Sequence, residues 1–141
     1  MYAAVSDMTS RFEEAELVQV TDQDGTGAIV EAVVLAAISD ATTEINTYAG
    51  RKYAPAALLA AMPPMLTNVC CDIARYELFK RKGEMPQVVQ DAYNAAIKWL
   101  KNLADGTTVL DVGGIEVAPA VNTIQTAPSI VACMRDKYRG L

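Results

Sequence analysis

The stretch Pro64–Lys82, PMLTNVCCDIARYELFKRK, limits the folds open to this chain more than any other part of it. Ahead of its basic end, the polar side chains Asn68, Asp72 and Arg75 recur every three or four residues, which on a helix makes one narrow stripe. Nearly everything else, from Met65, Leu66 and Val69 through Cys70, Cys71, Ile73 and Ala74 to Tyr76, Leu78 and Phe79, is apolar and covers well over half the circumference. A helix that apolar must be packed on more than one side, so the pattern predicts a central helix. Pro63 and Pro64 fix its start, and Gly83 permits the left-handed turn that ends it. Lys80, Arg81 and Lys82 fall where the helix dipole favours positive charge. No side chain on the stretch suggests chemistry.

Two further long helices are expected to pack on it. Over 29–50, Val30, Val34, Ala37, Ile38, Ala41, Ile45 and Tyr48 form an apolar stripe, and Gly50 is a natural stop. Over 86–105, Val89, Tyr93, Ala96, Ile97, Leu100, Leu103 and Ala104 share one face, Pro86 opens the helix and Gly106 follows it. Lys98 and Lys101 complement its carboxyl end, and Trp99 borders the apolar face with its N–H free to reach a polar partner. A further turn fits Pro55–Ala61 between Tyr53 and Pro63. The amino-terminal residues read as two short helices, the first capped by Ser6 and ending near Phe12, the second opening on Glu13, Glu14 and Glu16. Pieces so short are stable only when docked, here through Met8, Phe12 and Leu17.

Beyond Gly106 the pattern changes. The β-branched runs 107–112 and 115–117 flank Gly113-Gly114, a hairpin signal, and 118–129 reads as an extended arm with two prolines. The fold expected is therefore mainly α: a small helical bundle domain over 1–106, followed over 107–141 by a β-hairpin and a carboxyl-terminal arm. At 141 residues, with 52% hydrophobic but 6% aromatic content, the chain can bury one core made of Ala, Val, Ile and Leu.

A net charge of -5 argues against a surface that coats nucleic acid, which needs clustered Lys and Arg, while allowing an acidic wall past which DNA slides. With no run of membrane-spanning length and no leader pattern, a cytoplasmic site of synthesis is expected. Three cysteines and no histidine leave neither a disulfide framework nor a zinc site, and no imidazole to activate a nucleophile. Neither an enzyme nor a bound cofactor is expected. Cys133 reads as a small apolar residue.

One motif invites a metal. Counting from Asp22, the segment DQDGTGAI places oxygens at Asp22, Asp24 and Thr26, a glycine at the sharp turn and Ile29 at the usual apolar position of a calcium loop. Its twelfth position is Val33 rather than the closing Glu, and Glu31 is the nearby acid. A tight acidic turn leading into a helix accounts for the same residues.

Taken in order, several segments resemble a family of small Mu-like prophage proteins that join the phage head to the tail. They are Met1-Tyr2-Ala3 with Ser6-Asp7-Met8 and Arg11-Phe12, Asp22-x-Asp24-Gly25-x-Gly27-Ala28-Ile29, and Ile45 to Tyr48 with Arg51-Lys52-Tyr53. Pro63-Pro64, Cys71 to Tyr76, Tyr93 to Ile97 with Trp99-Leu100, and Arg135-Asp136 to Gly140 continue the series. The resemblance implies a non-enzymatic helical adaptor, or neck subunit, in a ring of about twelve copies between the portal protein and the next neck or tail component. It also implies residence in the virion, assembly in the host cytoplasm, and DNA passing through the lumen without specific binding. Ile130, Met134, Arg135, Lys137, Tyr138 and Arg139 would then meet the portal, the alternative being packing on their own domain. A calcium-binding module centred on Asp22, or a tail terminator or capsid accessory protein, are the alternative functions.

Overall fold

A computed structural model describes residues 1–110. They form six α-helices: α1 (Val5–Arg11), α2 (Glu14–Thr21), α3 (Glu31–Ala49), α4 (Pro55–Ala61), α5 (Pro64–Lys82) and α6 (Gln87–Asp105). The helix α5 is the hub, packing against α1, α2, α3 and α6, while α3 and α6 also touch each other. Its burial follows the sequence pattern: Leu66, Val69, Cys70, Cys71, Ile73, Ala74, Leu78 and Phe79 are buried on different sides of the helix. Pro63 is the residue before its first turn, and Gly83 closes it with φ 86°, in the left-handed region.

The layer around α5 is built from amphipathic stripes. The side chains Val34, Ala37, Ile38, Ala41, Ile45 and Ala49 of α3 are buried, as are Val89, Ala96, Leu100 and Leu103 of α6. Small residues on α3 allow close approach of the two long helices. The end of α6 is closed by Gly106 at φ 85° and by the amide of Thr107, which donates to the Asn102 carbonyl at 2.9 Å.

Two expectations need correction here. The N-cap of α1 is Ala4, not Ser6: the Ala4 amide donates to Asp7 Oδ2 at 2.7 Å, so the acid in the first turn reaches back to close the helix start. Ser6 instead lies inside the first turn, where its carbonyl accepts from Ser10 Oγ and Thr9 Oγ1. The hairpin expected over 107–117 is not supported, since no strand occurs among the described residues. The amides of Thr107 and Thr108 both go to the Asn102 carbonyl, so they finish α6 rather than begin a ladder. Residues 111–117, and the arm expected over 118–141, lie outside the described residues.

The amino terminus is tied to the body. Tyr2 is 1% exposed, its amide facing Thr42 Oγ1 and its hydroxyl donating to Asn46 Oδ1, both on α3. Met8 of α1 and Leu17 of α2 are fully buried, and Phe12 is partly buried against the same core. The docking expected of the two short helices is therefore present. Between α2 and α3, the buried Thr21 donates to the Leu17 carbonyl at 2.7 Å and accepts the Val30 amide at 3.2 Å, joining the two helices through one hydroxyl.

Candidate functional site

Three places could carry function, and each is fixed by local chemistry. The first is the loop between α2 and α3. Asp22 Oδ2 accepts the Gly27 amide at 2.6 Å and Oδ1 accepts the Thr26 hydroxyl at 3.2 Å, while Gly25 and Gly27 take φ of 74° and 75°. These hydrogen bonds, the Gly27 amide foremost, hold the Asp22 carboxyl below its usual range. Both Asp22 oxygens thus serve the turn itself. Asp24 is exposed, and among the described residues no three Asp, Glu or Cys side chains converge in a way that would hold a metal ion. These are the hydrogen bonds of a tight acidic turn.

The second place is the polar stripe of α5, which receives the two amino-terminal helices. Arg75 donates from Nε and Nη2 to the two carboxylate oxygens of Glu16 on α2, at 2.5 and 2.7 Å. Its guanidinium also lies 4.7 Å from the centroid of the Phe12 ring. One turn away, Arg11 Nη2 reaches both oxygens of Asp72 at 3.2 and 3.3 Å. Burial raises the Asp72 carboxyl above its ordinary value, and the opposing pull of Arg11 is the smaller effect. Arg11, Phe12, Glu13, Glu16, Asp72 and Arg75 line a shallow open groove in which both signs of charge are paired. Sequence reading found the stripe but not its partners, because these lie 59 and 61 residues away along the chain.

The third place is the corner between α4 and α5, whose axes differ by 108°. Met62, at the corner, adopts φ 42°, unusual for a residue with a side chain. Leu59, Met62 and Met65 are 41%, 42% and 45% exposed, while Leu58 and Leu66 beside them are fully buried. The signal for this surface was present in the run of alanines, prolines and methionines, but composition does not tell which side of a short helix faces outward. No single helix among the described residues is long and apolar enough to cross a membrane.

None of these places assembles a nucleophile with an activating base. Cys70 and Cys71 are buried in the core, where desolvation pushes their thiols up to about 11 and about 12, so both stay protonated at neutral pH. Tyr76 and Tyr93 stack at 3.8 Å between α5 and α6, and Tyr93 donates to Glu44 of α3 at 2.8 Å. That arrangement locks three helices together. The expected portal-contact residues Ile130, Met134, Arg135, Lys137, Tyr138 and Arg139 lie outside the described residues.

Comparison with known proteins gives this body a place. The family model described as "Bacteriophage Mu, Gp36" matches residues 2–127. The Mu-like prophage FluMu protein gp36 of Haemophilus influenzae is 32% identical over 110 residues, which is 78% of this chain and 75% of that protein. Matches of that extent take in every described helix and the segment that follows, so the chain belongs to the bacteriophage Mu Gp36 family.

Proposed function

We propose that this protein is a structural component of the virion, an adaptor subunit of the neck that joins the head to the tail. The observation that carries the reading is membership of a Mu phage family over nearly the whole chain. Its surface is consistent with it: the described residues offer bonded charges and an apolar corner, the materials of docking, and no assembled catalytic group. In this reading the protein works by binding, without catalysis or cofactor.

A ring subunit needs two different flanks that meet head to tail and close by rotation. The charged groove at α1, α2 and α5 is one surface suited to such a flank. The terminal residues Ile130, Met134, Arg135, Lys137, Tyr138 and Arg139, apolar and basic together, are the proposed contact with the portal. The net charge of -5 suits a wall that DNA passes without sticking.

Deleting the gene from its phage or prophage and imaging the induced lysate by negative-stain electron microscopy tests this. Separate heads and complete tails are the expected result. Normal joined, infectious particles would refute it, and malformed heads or tails would move the protein to the capsid or to tail termination.

A further inference from the structure

Residues 53–66, YAPAALLAAMPPML, contain no charged side chain and one polar group, the tyrosine hydroxyl. In the fold this run becomes α4, the corner and the first turn of α5, and Leu59, Ala60, Met62 and Met65 on it are exposed. Apolar side chains gathered this closely on the surface of an acidic protein mark a surface that is covered in use.

The path of the chain indicates what covers it. The Leu110 amide donates to the Tyr53 hydroxyl at 3.1 Å, and both residues are buried. Whatever follows Leu110 therefore departs from the foot of α4. The sequence from Val117 to Met134 is itself free of charge, and its first part carries Val117, Val121 and Ile124 between prolines and alanines. From Leu110 to residue 117 an extended chain spans up to about 23 Å, and α4, at seven residues, is only about 10 Å long. The tether is thus long enough for residues 117–128 to reach the α4 surface. Tethering at Tyr53 also gives them an effective concentration near the millimolar range, which a separate molecule lacks.

We propose that residues 117–128 dock on the uncharged face formed by α4 and its corner with α5, in the same molecule. This inference does not depend on the head–tail reading. It makes α4 the seat of the carboxyl-terminal segment.

Hydrogen–deuterium exchange of the full chain, alone and as the Leu59→Lys, Met65→Lys variant, tests the proposal. Both positions are exposed, so the core is left intact. Expected are amides over 117–128 exchanging at least tenfold more slowly than free peptide, and loss of that protection in the variant while α3 and α5 keep theirs. Should α5 lose protection as well, Leu59→Ser with Met65→Ser repeats the comparison with smaller polar groups. Unprotected amides over 117–128 in the unaltered protein, or protection that survives both substitutions, would overturn it. Protection that grows with protein concentration would also overturn it, by assigning the face to a second copy.

Discussion

Replacing Arg75 is expected to loosen the amino-terminal helices from the body, and the size of the effect follows from its contacts. Arg75 makes a two-point ion pair with Glu16 and lies over Phe12, with 18% and 25% of the Arg75 and Glu16 side chains exposed. Charge-assisted hydrogen bonds contribute about 1.5–3 kcal/mol when well sheltered, and partial exposure reduces the pair here to about 1–2 kcal/mol. The guanidinium over the Phe12 ring adds about 0.5–1 kcal/mol. Arg75→Met, which keeps the apolar stem, should then cost about 2 kcal/mol, with a fall in Tm of about 6 °C. Glu16→Gln should cost about 1 kcal/mol. Urea unfolding of the two single variants and the double variant gives the coupling energy, expected at about 1–2 kcal/mol. A coupling within about 0.3 kcal/mol of zero would show that the pair is a solvated surface contact and that α1 and α2 are held by their other contacts, among them the burial of Met8 and Leu17 and the Arg11–Asp72 pair.

Three more outcomes are expected. The folded-state carboxyl of Asp72 is raised, so its contribution favours folding at low pH and is lost as pH rises through that value; Asp72→Asn should remove this dependence, and Arg11→Ala should raise the Asp72 midpoint further in a carbon-detected NMR titration. Gly106→Ala should destabilise the protein by about 1–2 kcal/mol, like Gly83→Ala, since both residues have positive φ. An added Cβ at Gly106 also meets the Lys52 amino group, a flexible tip that can withdraw, so a loss well beyond that of Gly83→Ala in urea unfolding would contradict this account. Excess calcium should leave Tm unchanged, because Asp22 is engaged by its own turn, and a rise in Tm with calcium would assign the loop to metal binding instead.

The helices were legible in the sequence because their ends are written in backbone chemistry. Pro55, Pro64, Gly83 and Gly106 mark boundaries that the structure keeps to within a residue, and the stripes of α3 and α6 bury most of the side chains their spacing indicates, with Val30, Tyr48, Tyr93, Ile97 and Ala104 half-buried. Where a boundary rested on a side-chain hydrogen bond, the reading failed, as at Ser6, because Asp7 competes for the same helix start and supplies the stronger acceptor. The threonines after Gly106 misled in another way. Their β-branched character suggested a strand, but their amides are taken by the end of α6. The docking partners of Asp72 and Arg75 were not legible at all, since local periodicity carries no information about contacts formed across sixty residues.

That same separation sets an order of events during synthesis. The chain emerges amino end first, and α1 and α2 are too short to persist alone. Their seat is the middle of α5, so the 59 to 61 residues that separate the partners must leave the ribosome before Arg11 and Glu16 meet Asp72 and Arg75. The first part made is thus the last to settle. In the finished protein the same helices, packed on α5 and, for α1, on α3 less extensively than the long helices pack on one another, are the part that opens most readily while the three-helix body stays shut.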